Sequence, residues 1–506
     1  MQRGKKAAVN TIVSFLEEFI SLICGFILPR LILSAFGSDY NGLTTSITQF
    51  LSCAILLRSG IGGTTRAALY KPLANHNQGE VNSIIKATDI FMKKIGTILL
   101  VAILFFATIY PIFVKNEFGW FFTFSLFVII GASTFAESFF GITYLIILQA
   151  DQRLWVSSLF KSICNILNTI IATILILGNC SIHVVKLGSA AVYVMYPIIL
   201  GIYVRRHYNI NLHVEPNNNA ISQRWDAFWQ QVAIFVMNNT DIMVLTVFTN
   251  MFEVSVYSVY NLVIIGIKKT IQSFTNGLEA AFGNMIAQNE HSALKQNVGI
   301  VETIIYNLSM VTCVCTALLV LDFVKLYTRD VFDVNYSRPL FAYIIIIAQF
   351  FNTVRIPYQL VVQAAGHYKQ TKKGAIIEPI INIVLSVSFV FSFGLIGVAI
   401  GTLAASVFRT IQYSIYMSKV LVKRKLSVVA ARLLLSFSEA ALIICLVKLI
   451  NLPTPDNYFM LLINAVVVFF ISLVISFCGS FIAFKKETVN MFNKIKNIFI
   501  KRKAHK

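Results

Sequence analysis

The sequence predicts an all-α polytopic membrane protein: about fourteen transmembrane helices, built as two pseudo-symmetric six-helix lobes with two extra helices. Three observations lead there. The 506 residues are 57% hydrophobic and only 13% charged, with a mean hydropathy of +0.75, whereas a soluble domain carries roughly 25% charged residues. Apolar runs of roughly 20 residues, enough to cross a bilayer, recur along the whole chain. Lysine and arginine then fall in alternate connections between those runs, as the positive-inside rule requires.

Taken in order, the runs cover 8–36, 40–68, 95–114, 119–149, 156–178, 184–204, 227–249, 254–285, 298–321, 339–363, 374–393, 395–417, 431–450 and 457–484. The first follows a basic start, but its apolar stretch is too long for a signal peptide and no small-residue cleavage site follows, so it is expected to be a membrane helix. Connections assigned to the cytoplasm hold about 29 of the 42 Lys and Arg residues. Both termini of this multi-pass membrane protein are therefore expected in the cytoplasm. The net charge of +20, which on a soluble chain would suggest nucleic acid, is here distributed toward lipid headgroups, so no nucleic-acid partner is expected.

The expected organisation is an N-terminal lobe over 1–210, a cytoplasmic linker over 211–225, a C-terminal lobe over 226–421, two further helices within 430–484 and a basic tail over 485–506. The tail places Val489, Phe492, Ile495 and Phe499 on one helical face among lysines, which suits either an interfacial helix or a plain positive-inside anchor. A register of 214 residues relates the lobes. It pairs Asp39 with Glu253, Gly63 with Gly277, Ala67 with Ala281, Gln149-Ala150 with Gln363-Ala364, and Asn168 with Asn382.

No Walker A loop, HExxH, GxSxG or CxxC occurs, the seven histidines lack metal-ligand spacing, and the eight cysteines are scattered through apolar segments as packing residues. Neither an enzyme, a metal site nor a cofactor is expected. What remains is charge within the membrane, which is costly and usually faces a cavity, a partner or a substrate. The expected substrate-binding cations are Arg30, Arg58, Lys268, Lys269, Arg355 and Arg409. Arg58 lies ~20 Å along its helix from Lys71, and is therefore deep; Arg66 is only ~7 Å from it and could snorkel to the headgroups. Cations at this depth suit an anionic ligand. The embedded acids are Glu17, Glu18, Glu137, Asp241, Glu279, Glu378 and Glu439. Glu17, Glu137, Asp241 and Glu378 are candidates for coupling to H⁺ or Na⁺, or else ion-pair partners of the cations. Gly60, Gly62, Gly63, Gly394, Gly397 and Gly401 permit close helix packing or bending.

Several stretches resemble the Wzx-type polysaccharide (lipid-linked oligosaccharide) flippases of the multidrug/oligosaccharidyl-lipid/polysaccharide (MOP) exporter superfamily, in particular those of Gram-positive capsule and exopolysaccharide loci. They are Leu28-Pro-Arg-Leu-Ile-Leu33, Phe36-Gly-Ser-Asp-Tyr-Asn-Gly-Leu43, Ser46-Ile-Thr-Gln-Phe-Leu51 and Leu69-Tyr-Lys-Pro-Leu-Ala74, then Leu148-Gln-Ala-Asp-Gln-Arg153, Ile182-His-Val-Val-Lys-Leu187, Asn239-Thr-Asp-Ile242 and Glu253-Val-Ser-Val-Tyr-Ser-Val-Tyr260. The resemblance implies a flippase of undecaprenyl-pyrophosphate-linked oligosaccharide working by alternating access, with Arg30, Arg58 and Lys268 or Lys269 at its cavity cations. It also implies membrane lipids, a polysaccharide polymerase and glycosyltransferases as partners. Such relatives often carry an acid where this chain has Arg58, so its cavity would be more basic than the pattern. The alternatives are a lipid II flippase, a drug/cation antiporter of the same superfamily, which would favour acids and aromatics, and a membrane-embedded polymerase or glycosyltransferase. The last needs a large catalytic outer loop, and the longest outer connection, 322–338, is short.

Overall fold

The computed structural model describes residues 3–59, 61–75, 77–114, 118–217, 239–275 and 278–493. The helices are α1 (Arg3–Phe36), α2 (Ser38–Ser59), α3 (Ile61–Ala74), α4 (Gln78–Phe113), α5 (Trp120–Ala136), α6 (Ile142–Ala150), α7 (Leu154–Leu177) and α8 (Ile182–Tyr208). A short α9 (Asn239–Phe248) follows. Then come α10 (Met251–Thr275), α11 (Leu278–Ala287), α12 (His291–Tyr327), α13 (Pro339–Val354), α14 (Ile356–Ala364), α15 (Tyr368–Phe393), α16 (Leu395–Tyr416), α17 (Ser427–Ile450) and α18 (Tyr458–Ala483). There is no strand among the described residues.

Twelve of these segments are long and apolar enough to cross a membrane, and they coincide with twelve of the fourteen expected runs. Of the other two, 227–249 lies largely outside the described residues. The run 40–68 is covered by α2 and α3, with position 60 between them outside the described residues. The polar stretch before 95 is itself helical. At 36 residues, α4 runs ~54 Å, well beyond the ~30 Å hydrocarbon layer, so its first turns stand clear of lipid. An i,i+4 ion pair between Asp89 and Lys93 (2.9 Å) supports them there.

The helix ends follow local chemistry. Gly37 (φ 94°) and Gly394 (φ 54°) turn α1 into α2 and α15 into α16 in a backbone region that a side chain would strain. Asn77 and Asn457 accept from the backbone N–H of Glu80 (3.2 Å) and Met460 (2.9 Å), capping α4 and α18. Large apolar side chains such as Phe121, Leu177, Phe391, Leu434 and Phe459 are exposed, which water would penalise and lipid accommodates.

The chain forms two compact units, Met1–Val256 and Tyr257–Lys506. In the first, Leu69, Ile84, Ile147, Leu200 and Val204 centre an apolar core of α3, α4, α6 and α8. A polar seam joins α2 to α9 and the first turn of α10. In it Asn41 donates to Ser255 (2.8 Å), Ser46 meets Thr246 (2.7 Å) and takes a bond from Tyr110 (2.7 Å), and Gln49 donates to Asn239. Lipid supplies no hydrophobic drive between helices, so such bonds and close backbone approach carry the contact. At Gly42 an added Cβ would stand 1.9 Å from the Met251 carbonyl oxygen. In the second unit α15 and α16 approach equally closely. A Cβ on Gly397 would lie 2.4 Å from Phe389 backbone, and one on Gly401 2.3 Å from Ser386 Oγ. The packing role expected of these two glycines is what the structure displays.

The 214-residue register recurs in the element bounds. Shifted by that amount, α6 lands on the bounds of α14, and α4 and α7 land within two residues of α12 and α15. Both copies interrupt the same helix. In the first, Glu137–Gly141 forms a π-helical turn between α5 and α6. In the second the break is the single residue Arg355, between α13 and α14.

Candidate functional site

The break at Arg355 has a covalent cause. Pro357, in the first turn of α14, has no N–H to give to Thr353 and its ring crowds that carbonyl, which favours an interruption here. The Arg355 N–H reaches the Phe351 carbonyl at a long 3.3 Å, and the Thr410 hydroxyl from α16 bonds the same oxygen at 2.9 Å. The interruption turns the Arg355 side chain toward α15, where its Nη1 donates to Glu378 Oε1.

Glu378 is buried on α15 and shares its other oxygen with Arg409 of α16 (Nε to Oε2, 3.3 Å). Arg409 uses four of its five N–H groups. Its Nη1 donates to the Thr371 carbonyl (3.2 Å) and to Gln412. Its Nη2 donates to the Tyr413 hydroxyl (2.7 Å), and the guanidinium carbon lies 4.0 Å from the Tyr413 ring centre. Gly374 makes room for this arrangement, because a Cβ there would stand 2.1 Å from Gln412 Oε1 and 2.4 Å from Arg409 Nη1.

Two arginines around one carboxylate leave the cluster with net charge +1. The two differ in availability. Arg409 has a side chain 5% exposed, against 17% for Arg355. Arg355 has five N–H donors, and the bond to Glu378 is its one side-chain bond among the described residues. Its remaining N–H groups can accept an anion without breaking the pair. Lys268, half-buried on α10, lies close enough to feel the positive charge of Arg355.

Arg30 is half-buried in α1 after Pro29, and Lys269 is half-buried in α10. Arg58 falls in the last turn of α2, and its side chain lies outside the described residues. Arg66 donates to Gln149 at 3.1 Å. Glu17 of α1 pairs with Lys161 of α7 at 3.2 Å. Glu137 occupies the π-turn and Asp241 lies on α9, both half-buried. Glu18 and Glu279, expected among the buried acids, are on the surface.

Sequence reasoning overlooked a second triad. Glu302 of α12 is fully buried and takes both Nη groups of Arg424, one at 2.6 Å, while Arg432 of α17 stands 3.5 Å away. Arg432 also donates to Thr303 (3.1 Å) and the Gly299 carbonyl (3.3 Å), and lies 4.1 Å from the Phe484 ring centre. Burial works against the Arg424 charge, but the hydrogen bonds and charge of Glu302 outweigh it and hold the guanidinium above its ordinary pKa. This triad fastens α12 to α17. A lone acid in an apolar run was the available signal, masked because Arg424 and Arg432 read as ordinary cytoplasmic charge.

No family model matches the chain, and no curated protein matches it. Solved structures do. Lipid II flippase MurJ in an inward closed conformation aligns with TM-score 0.73 at 16% identity over 93% of this chain and 99% of its own. An inward-facing multidrug resistance MATE family transporter of the MOP superfamily aligns with TM-score 0.59 at 13% identity, covering 82% of this chain and 98% of its own. A Vibrio cholerae MATE transporter in its bent form gives 0.56 at 12%, over 83% and 97%. The chain therefore shares the fold of these flippase and transporter structures.

Proposed function

We propose that the protein is a flippase that moves undecaprenyl-pyrophosphate-linked oligosaccharide repeat units across the cytoplasmic membrane for surface polysaccharide synthesis. The observation that carries this reading is the net-positive Arg355–Glu378–Arg409 cluster, set among membrane helices in a fold shared with flippases. A pyrophosphate needs cationic, multidentate donors at membrane depth, and Arg355 has them to spare. Arg30, Arg58, Lys268 and Lys269 would supply further positive charge along the headgroup's path, while the polyprenyl tail stays in lipid.

Transport would proceed by alternating access, with differential affinity in the two states biasing the equilibrium. Exchange of H⁺ or Na⁺ at a carboxylate, from among Asp241, Glu378, Glu137 and Glu17, would supply the drive. A polymerase and glycosyltransferases would act on either side of this step. A lipid II flippase is the second reading, favoured by the higher TM-score to MurJ (0.73) than to the multidrug transporter (0.59).

Depleting the protein tests the reading. Lipid-linked repeat units should accumulate facing the cytoplasm while surface polysaccharide disappears. Accumulation of lipid II instead would move the assignment to the second reading. Unchanged surface polymer, with no other flippase present, would end both.

A further inference from the structure

Outside the two triads, Glu439 is an embedded acid with no ion pair among the described residues. Glu439 lies midway along α17, 5% exposed, and its Oε1 is sealed from solvent with no hydrogen-bond partner. It rests against the backbone of α18 at Gly479, where an added Cβ would stand 2.0 Å from that oxygen. One turn away on α18, the buried Ser476 hydroxyl also has no partner. Gly479, having no side chain, leaves the space that the Glu439 carboxyl occupies.

The surroundings offer no base. Between Tyr458 and Ala483, α18 holds no Asp, Glu, Lys, Arg or His, its titratable side chains being Tyr458 and Cys478. On α17, Arg432 is committed to Glu302 two turns away, and Lys448 and Cys445 lie toward the other end. On α12, Glu302 is held by Arg424 and Arg432, Tyr306 bonds Tyr358 (2.7 Å) and Cys315 lies 3.9 Å from Ser472, with Cys313 buried beside it and Asp322 and Lys325 near the far end. α13 touches α17 through Phe350 and Phe351 on Phe437, and brings only Tyr343 as a titratable group.

An ionised carboxylate in this place would be unpaired in low dielectric, which is far costlier than its neutral acid. We propose that Glu439 is a proton-exchange site. Its protonated form lets α17 close on α18 as seen here, and loss of the proton hydrates the carboxylate and loosens that contact. The ligand is the proton itself. The site lies outside the twelve repeat-related helices, and the proposal does not depend on which substrate the protein carries.

Dicyclohexylcarbodiimide tests it, since this reagent adds to a carboxyl group that is both protonated and in an apolar setting. The full-length protein in detergent or lipid would be treated along a rising pH series and the adduct located by peptide mass spectrometry. The expected result is an adduct at Glu439 that declines as pH rises, disappears in Glu439→Gln and weakens in Gly479→Ala, where the new methyl evicts the carboxyl. No adduct at Glu439 at any pH, or a yield independent of pH, would overturn the proposal. Because labelling needs no substrate, its failure is distinguishable from failure of the flippase reading.

Discussion

The two helix interruptions occupy equivalent places in the repeat, yet they are built differently. In the first copy the π-turn at Glu137–Gly141 is packed. Gly141 sits where a Cβ would stand 2.8 Å from Pro197, and Ser138 turns its hydroxyl back onto the Thr134 carbonyl (2.8 Å). In the second copy the break is held by charge. Shifting by the register, Arg355, Glu378 and Arg409 correspond to Gly141, Cys164 and Met195, and Gly374 corresponds to Phe160. The backbone irregularity thus belongs to the repeat, while the ionic triad belongs to one copy alone. A feature present in both copies is explained by folding; one confined to a single copy calls for a different account, and under the proposed function the spare donors of Arg355 would provide it.

Removing the carboxylate should have the largest effect. Glu378→Ala leaves the buried Arg409 and the half-buried Arg355 without their shared carboxylate and should cost about 3–5 kcal/mol, read as a lowered unfolding midpoint of the purified protein. Gly374→Ala should rank next. Its methyl displaces Arg409 from Thr371 and Gln412, and losing hydrogen bonds to a charged group costs roughly 1.5–3 kcal/mol. In the first copy Met195, the counterpart of Arg409, is half exposed, and Met195→Leu should stay within about 0.5 kcal/mol. A first-copy loss matching that of Glu378→Ala would erase the contrast between the copies.

Much of this was legible in the sequence. The membrane helices follow from apolar runs, and the register of 214 was visible in a few pairs such as Asn168 and Asn382, which now both bond the next helix of their hairpin, to Tyr193 (3.3 Å) and Thr402 (3.1 Å). Arg355, Glu378 and Arg409 were recognisable singly as embedded charges, but their meeting was not, since it depends on how three helices cross. The break beside Arg355 went unread within the single apolar run 339–363, although Pro357 stands next to it. The π-turn at Glu137 left no comparable mark, because α5 and α6 read as one apolar run. Glu302 escaped because its partners lie more than a hundred residues away, in segments whose charge already had an explanation.

The central claim is that Arg355 serves a ligand and not the fold. The most direct measurement is flipping of labelled undecaprenyl-pyrophosphate-linked oligosaccharide in vesicles containing the purified protein, for the wild type and for the apolar replacement Arg355→Met, Glu378→Met, Arg409→Met. Substituting a buried ionic triad by hydrophobic residues of similar size is often neutral or stabilising by about 1–4 kcal/mol. The account predicts a folded protein, as stable as the wild type, with flipping abolished. A folded triple variant that flips at the wild-type rate would contradict it.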